Sequence, residues 1–349
     1  RQTAIKGEPD LVLLPHPHAI GAVGARRREP EKGGDHHSPP SHPEFCGKPE
    51  PRVKRLSHGE GINGHNENAV RVHAIVNMFR PDAVQAAAEA LATLRTRGVE
   101  VGGDRESAAE IGVPAVEPGA LADCDHIISF GGDGTLLQAA HVASERGTPI
   151  MGVYFGRFGF VTQFHPHEMG AALSAFLDGQ MGIEARAMVQ AELIRHDKVV
   201  ATLHCLNEVV VQRAATTRML TFDVQVNDLP LARYPADGVM VATPTGSTAY
   251  NLSAGGPVVD PAVEAMILTA VTPHTLSARP LVLRSDAVLR IDIETRGDAV
   301  LSGDGQSRLH LLSGDAVRVT RSPRQTRLVV PDRNEFFDKL ANHFQWSRG

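Results

Sequence analysis

The segment HIISFGGDGTLL, residues 126–137, joins a short apolar run to a glycine-rich turn and then to a helical pattern. This order is typical of a strand, a turn and a helix in a parallel α/β domain. Glycines let the backbone approach a bulky ligand, and free N–H groups at a helix start favour a phosphate. We therefore predict a phosphate-binding loop at Gly131, Gly132, Gly134 and Thr135.

Asp133, inside this loop, is the candidate catalytic residue. We expect it to be exposed at the C-terminal edge of the sheet, where open α/β proteins bind ligands. Glycines alone are equally consistent with an ordinary turn. The loop lacks the dinucleotide fingerprint because position 137 is leucine, and it lacks the Lys-Ser or Lys-Thr of a Walker A loop.

The surrounding sequence alternates between strand and helix patterns. Residues 72–76, 99–101 and 148–153 have strand character, and a helix is predicted from Pro81 to the stop at Gly98. These patterns predict a parallel α/β domain over residues 71–165. Further along the chain Leu289, Ile291 and Ile293 alternate with charged residues, as in a half-buried antiparallel strand.

The C-terminal half is therefore predicted to be rich in β-strands, over residues 166–320. Residues 317–319 and 328–330 are predicted as two separate short strands. One short helix is predicted from Asp260, as its N-cap, to Val271. The fold class is thus α/β followed by an all-β-rich domain.

Composition limits the kinds of partner. The chain of 349 residues has a formal net charge of −5, and 42% of its residues are hydrophobic and 5% aromatic. This balance fits about two globular domains and offers no basic field for nucleic acid or a membrane surface. Cys46, Cys124 and Cys205 are far apart, which excludes a disulfide framework and fits a reducing cytoplasm. We predict a cytoplasmic protein with no nucleic-acid or membrane partner.

Residues 1–70 differ from the rest, with nine Pro, nine Gly and seven His. Such a segment cannot bury enough apolar surface to offset its ordering entropy, so we predict a disordered tail. Since the first Met is Met78, a further expectation is that this tail is non-native or dispensable and that the working protein starts near Val70. His36, His37 and His42 could hold a metal, but nothing fixes these ligands in a geometry, so a solvated tail is favoured.

A second polar segment, TPTGSTAYNLSAGG at residues 243–256, follows an apolar run. Its hydroxyls, amide and phenol could donate several hydrogen bonds to one polar ligand, and Tyr250 could stack on a ring. The alternative is a Ser/Thr-rich loop with no ligand. Asn207, Glu208 and His274, taken singly, would more often be caps or surface groups.

Taken together, GGDGTLL, GVYFGRFGFVT, LNEVVV, DGVMVATPTGSTAYNLSAGGPVV, PHTLSARPLVL and SGDGQ resemble the NAD kinase family of the ATP-dependent, bacterial type. The resemblance runs from about residue 71 to the C-terminus. GGDG is shared with diacylglycerol-type lipid kinases and phosphofructokinases, whereas TPTGSTAY with NE and PHTLSARP is specific. Tyr154 stands where the family often has Asn, and Pro235 where some members have Arg.

The resemblance implies transfer of the γ-phosphoryl of ATP to the 2′-hydroxyl of the adenosine ribose of NAD, giving NADP. It also implies a β-domain of unusual topology, a segment at 321–349 that packs back on the α/β domain, and a homo-oligomer. Mg²⁺ or another divalent cation is expected to arrive with ATP, because no carboxylate cluster suggests a protein metal site. Polyphosphate as an alternative donor stays open.

The resemblance also assigns residues. Asp133 matches the family's proton acceptor. The residues that match NAD contacts are Gly134, Asn207, Glu208, Arg218, Asp237, Thr248, Ala249, Tyr250, Asn251, Leu252, Ser253, His274 and Gln306.

Two other functions compete with this interpretation. A lipid kinase would use GGDG with a hydrophobic acceptor site, but the second segment is rich in hydrogen-bonding groups and poor in large apolar ones. A non-catalytic NAD(H)-binding sensor would keep the dinucleotide contacts and would not need Asp133.

Overall fold

The computed structural model describes residues 69–156, 159–214, 220–294, 299–331 and 336–346. The strands are β1 (Arg71–Val76), β2 (Glu100–Gly103), β3 (His126–Gly131), β4 (Ile150–Tyr154), β5 (Gly182–Arg195), β6 (Lys198–Cys205), β7 (Glu208–Arg213), β8 (Leu220–Val226), β9 (Leu229–Ala236), β10 (Gly238–Ala242), β11 (Ala265–Val271), β12 (Leu281–Arg284), β13 (Leu289–Glu294), β14 (Ala299–Gly303), β15 (Ser307–Leu311) and β16 (Ala316–Val330). The α-helices are α1 (Pro81–Thr96), α2 (Asp133–Ala143), α3 (Met169–Leu177), α4 (Tyr250–Ser253) and α5 (Phe336–His343).

The first part of the chain forms the predicted parallel α/β layer. Its strands pair in the order β2-β1-β3-β4, and all these pairs are parallel. Helix α1 begins with Pro81 in its first turn and buries Ala87, Leu91 and Leu94 against the sheet. Because β1, β3 and β4 run in the same direction, the turns that follow them meet at one edge of the sheet.

The second part consists of antiparallel strands in two sheets. The smaller sheet has the order β12-β11-β10-β7-β14-β15, and the larger one continues through β13, β8 and β9, with β5 and β6 beside it. Alternate residues of β10 face opposite sides: Val239 and Val241 pack in the core between the sheets, and Met240 and Ala242 pack in a separate cluster. This confirms the predicted β-rich part.

Strand β16 connects the two parts. It pairs antiparallel with β13 and β5, and near its end Leu328 pairs in parallel with Ile150 of β4. The two short strands predicted at 317–319 and 328–330 are the ends of this single strand, which is bulged between Arg321 and Gln325.

The C-terminal segment then returns to the α/β layer, as expected. Lys339 of α5 donates a hydrogen bond of 2.6 Å to the carbonyl oxygen of Thr162. The boundaries predicted between the domains stay predictions. Helix α3 lies beyond the predicted boundary at residue 165 and packs in the same core as α1. The predicted tail falls almost entirely outside the described residues.

The helix predicted from Asp260 to Val271 is wrong. After a turn, residues 265–271 form strand β11, which lies between β10 and β12. The stretch AMILTAV is a continuous apolar run, and such a run fits a buried helix or a buried strand equally well by periodicity. These residues form a strand because β10 and β12 pair with them on both sides.

Among the residues that the structure describes, none of the helices combines the length and the apolar character needed to span a bilayer.

Candidate active site

The GGDG turn lies where β3 gives way to α2, at the edge to which the parallel strands point. Gly131 ends β3, Gly132 is the N-cap residue, and Asp133 is the first residue of α2. A Cβ at Gly131 would overlap the side chain of Thr135, which is itself buried, so this position requires glycine. The sequence prediction of a strand, turn and helix is confirmed here.

Asp133 is half-buried rather than exposed. Its Oδ2 accepts a hydrogen bond of 2.8 Å from the backbone N–H of Phe160, and its Oδ1 accepts bonds of 3.0 Å from both the N–H and the hydroxyl of Thr162. Val161 N–H lies at 3.2 Å and 3.3 Å from the two oxygens. The loop after β4 therefore covers Asp133, a contact that the local pattern around GGDG could not reveal.

Asn207 and Glu208 lie at the start of β7, and both are buried. Asn207 Oδ1 and Glu208 Oε2 accept no hydrogen bond from any residue that the structure describes. Burial raises the pKa of Glu208 to about 8, and the nearby charge of Asp304 adds to this shift. Buried polar atoms normally have hydrogen-bond partners, so these two oxygens keep unused hydrogen-bonding capacity among the described residues.

Asp304 holds the backbone of that pair, a role that the sequence analysis missed. Its carboxylate accepts hydrogen bonds from the N–H groups of Leu206, Asn207 and Glu208, at 2.8, 2.8 and 3.0 Å. Burial raises the pKa of Asp304, and the three N–H bonds act in the opposite direction. The signal was present in SGDGQ, but nothing local shows which backbone this aspartate meets.

The exposed Gln306 side chain contacts the GGDG turn. Its side-chain amide donates a hydrogen bond of 3.1 Å to the carbonyl oxygen of Gly134 in the GGDG turn. The turn between β14 and β15 therefore contacts both the GGDG turn and, through Asp304, the segment at 206–208.

The hydroxyl-rich segment packs directly against the same pair. A 3₁₀ turn covers Thr245–Thr248 and leads into α4. Gly246 lies so close to the backbone of Asn207 that a Cβ there would overlap it. Thr243 N–H also donates to the carbonyl oxygen of Asn207 at 2.8 Å.

Individual residues of this segment differ in accessibility. Tyr250 and Ser253 are exposed, and Thr248, Ala249 and Leu252 are half-buried. The Asn251 side chain, in contrast, is fully buried and forms hydrogen bonds inside the protein. Its amide donates to the carbonyl oxygens of Ser247 and Pro257, both at 3.1 Å, and its Oδ1 accepts from the Thr269 hydroxyl at 2.8 Å.

Within one chain, Asp237 and His274 lie away from Asn207 and Glu208. Asp237 precedes β10, whereas the polar segment follows β10, so the strand rise separates them by about 20 Å. Asp237 forms an ion pair of 3.0 Å with Arg213. His274 is exposed, and its N–H donates to Pro235 O at 2.8 Å, near the same end of β10. Arg218 lies outside the described residues.

Comparisons with known proteins agree with this geometry. Residues 72–181 match the family model of the ATP-NAD kinase N-terminal domain, and residues 206–330 match that of the ATP-NAD kinase C-terminal domain. A NAD kinase from Moorella thermoacetica is 39% identical over 270 residues, which cover 76% of this chain and 86% of that protein. A NAD kinase from Symbiobacterium thermophilum is 40% identical over 270 residues, covering 76% and 95%.

Solved structures give the same result. The crystal structure of yeast NADH kinase complexed with NADH superposes with a TM-score of 0.76 at 25% identity, covering 80% of this chain and 89% of that one. The NAD kinase from Archaeoglobus fulgidus in complex with ATP gives a TM-score of 0.65 at 25% identity, covering 79% and 99%. On the strength of both domain matches and these relatives, the chain belongs to the NAD kinase family.

Proposed function

We propose that this chain transfers the γ-phosphoryl of ATP to the 2′-hydroxyl of the adenosine ribose of NAD, with Asp133 as the proton acceptor. The observation that carries the proposal is the pair of buried oxygens, Asn207 Oδ1 and Glu208 Oε2, that have no hydrogen-bond partner in the described part of the chain. The turn that holds this pair also contacts the GGDG turn, through the hydrogen bond from Gln306 to Gly134. Structures of relatives bound to NADH and to ATP support the choice of substrates.

The acceptor dinucleotide is assigned to Asn207 and Glu208 and to the exposed side of residues 245–253. With its raised pKa, the Glu208 carboxyl carries a proton near neutral pH and can donate a hydrogen bond to NAD. The Asn207 amide can donate and accept. These polar, buried partners favour a hydrogen-bonding acceptor over the alkyl chains of a lipid.

Asp133 is placed to receive a proton at Oδ2. Oδ1 already accepts three bonds, two of 3.0 Å from Thr162 and one of 3.2 Å from Val161. Oδ2 accepts two, one of 2.8 Å from Phe160 and a longer one of 3.3 Å from Val161. The 2′-oxygen of the ribose attacks the γ-phosphorus, its proton passes to Asp133, and the bond from the γ-phosphorus to the leaving oxygen of ADP breaks.

The donor phosphates are assigned to the GGDG turn, where backbone N–H groups open α2. Among the described residues, no group of three or more His, Cys, Asp or Glu side chains is arranged to hold a metal. We propose that Mg²⁺, or another divalent cation, enters bound to ATP. Whether polyphosphate replaces ATP is part of the test.

The test is a product assay. The purified protein is incubated with Mg²⁺, NAD and ATP, and NADP is quantified. Parallel reactions replace ATP with polyphosphate or NAD with a diacylglycerol. NADP formed from ATP supports the proposal; phosphorylated lipid without NADP would favour the lipid kinase. NAD binding without any product would favour the sensor.

The proposal includes a homo-oligomer in the cytoplasm. Within one chain Asp237 and His274 lie about 20 Å from the end of β10 that meets Asn207. A second copy of the chain that brings these residues to the first copy's NAD would account for the separation. The molar mass in solution, measured by light scattering, tests this, and a monomer that is fully active would contradict it.

A further inference from the structure

The turn at residues 304–306 is built into two parts of the site at once. Gly303 of β14 pairs with Val209 of β7, so the turn extends past the end of β7 and lies beside Asn207 and Glu208. The N–H of Asp304 donates to the carbonyl oxygen of Glu208 at 3.0 Å, and the Asp304 carboxylate accepts the N–H groups of residues 206–208. Asp304 therefore binds both the N–H groups and a carbonyl oxygen of this backbone segment.

The same turn reaches the other half of the site. Gln306 Nε2 donates to the carbonyl oxygen of Gly134, a residue that follows Asp133 directly. The contact joins residues that are 172 positions apart in the chain. One short turn therefore sets the position of the dinucleotide pair relative to the catalytic carboxylate.

We propose that Asp304 and Gln306 are positioning residues for phosphoryl transfer: Asp304 holds Asn207 and Glu208 in the geometry that binds NAD, and Gln306 holds the GGDG turn against them. Neither residue touches the reacting atoms. This inference rests on the proposed function, since it gives the turn a role in that reaction.

The two residues make different kinetic predictions. Loss of Asp304 misplaces the NAD-binding pair, so KM for NAD should rise while KM for ATP stays within about twofold of the wild type. Several bonds to one buried carboxylate are lost together, so a rise of about tenfold or more is expected. Loss of Gln306 frees the GGDG turn, so kcat should fall about fivefold with little change in KM for NAD.

Asp304 also acts on Glu208 through its charge. The titratable groups that face Glu208 in the described structure are Asp304 on the turn and Cys205 at the end of β6. Asp304→Asn keeps one acceptor oxygen for the N–H groups of residues 206–208. It removes the negative charge that helps to raise the pKa of Glu208. The pH midpoint of NAD binding should therefore move to lower pH, an effect that a purely structural role would not produce.

A matched control is available in the same chain. Asp228 also occupies a hairpin turn with positive φ, 63° against 48° for Asp304, and it is exposed. Asp228→Asn and Asp228→Ala reproduce the backbone effects of the substitution without the contacts. Gln85→Ala, on the exposed face of α1, is the control for Gln306→Ala.

The experiment measures kcat, both KM values and the pH dependence of NAD binding by calorimetry, for the full chain and for Asp304→Asn, Asp304→Ala, Gln306→Ala and the controls. The proposal expects the KM effect at Asp304, the kcat effect at Gln306 and unchanged controls. If Asp304→Ala fails to fold, Asp304→Asn and Gln306→Ala carry the test. A wild type that forms no NADP would refute the proposed function itself. An active wild type whose Asp304→Asn and Gln306→Ala variants match it within twofold, with an unmoved pH midpoint, would overturn only this inference.

Discussion

The backbone N–H and the hydroxyl of Thr162 each donate a hydrogen bond of 3.0 Å to Oδ1 of Asp133. The carbonyl oxygen of the same threonine accepts from Lys339 at 2.6 Å. Thr162 is fully buried, so these bonds are shielded from water. Through one residue, the C-terminal helix therefore helps to hold the carboxylate that we assign as proton acceptor, and it leaves Oδ2 on the less occupied side.

Thr162→Val removes the hydroxyl donor and keeps the shape and the backbone N–H. We expect kcat to fall about fivefold, because the carboxylate becomes less well oriented; this is part of the about 1.5–3 kcal/mol that a hydrogen bond to a charged group contributes. KM for ATP should not change. Steady-state kinetics measure both constants, and Thr162→Ser, which restores the hydroxyl, should recover most of the rate. A serine variant as slow as the valine variant would refute the role of the hydroxyl.

Asn207→Ala should raise KM for NAD far more than KM for ATP. The amide is buried, its Oδ1 accepts no hydrogen bond from a described residue, and the contact that it offers to NAD is lost in the alanine variant. We expect a rise of about ten- to a hundredfold, in line with loss of a buried polar contact. Asn342→Ala, at an exposed position of α5, is the control. Equal effects on both substrates would mean that Asn207 is only structural.

Glu208 predicts a pH dependence of stability. Its pKa is about 8 in the folded protein, against an ordinary value of 4.5. The folded state therefore holds the proton more tightly, and its contribution to stability is present below about pH 4.5 and is lost as the pH rises towards 8. Glu208→Gln removes this loss. The variant's melting temperature should exceed that of the wild type at pH 9, and the difference should largely close by pH 5. The corresponding difference in the free energy of unfolding has an upper limit of about 5 kcal/mol.

Scanning calorimetry of the wild type and of Glu208→Gln at several pH values measures these melting temperatures. The raised pKa of Glu208 also depends on the charge of Asp304. When both proteins carry Asp304→Asn, the difference in melting temperature that Glu208→Gln causes at pH 9 should therefore be smaller. A Glu208→Gln variant whose advantage over the wild type does not change with pH would contradict the raised pKa.

Gly246→Ala should destabilise the fold and weaken NAD binding together. A Cβ at this position would overlap the backbone of Asn207, which cannot move without disturbing its bond to Asp304. Overpacking typically costs about 1–3 kcal/mol. Gly170→Ala, where a Cβ meets nothing within 4 Å, should be neutral or stabilising. Thermal melts and NAD titrations measure both effects, and a Gly246→Ala variant as stable as Gly170→Ala would contradict the predicted close contact.

Local pattern was enough for the GGDG turn and not for what surrounds it. The strand, turn and helix at residues 126–143 follow from a contiguous apolar run, glycines and helical spacing, and all three were predicted. The contact of Asp133 with Thr162 joins residues 29 positions apart, and that of Gln306 with Gly134 joins residues 172 apart. No local periodicity carries information about such pairs.

The same reasoning explains the other differences. Residues 265–271 form a central strand because neighbours pair on both sides, which the apolar run itself does not reveal. Family resemblance placed Asp237 and Asn251 among the NAD contacts by motif alone. The fold places Asp237 at the far end of β10 and uses the Asn251 side chain inside the protein. Motifs thus identify the segments of a site, but the fold decides which of their side chains lie together within one chain.

The most direct test of the central claim is Asp133→Asn, measured by turnover and by NAD binding on the same preparation. The amide keeps the size and one acceptor oxygen, but it cannot take up the ribose proton. We predict a melting temperature and an NAD dissociation constant close to those of the wild type, with kcat lower by about 10²–10⁴-fold. Near-normal turnover combined with a loss of NAD affinity would contradict the assignment of Asp133 as proton acceptor.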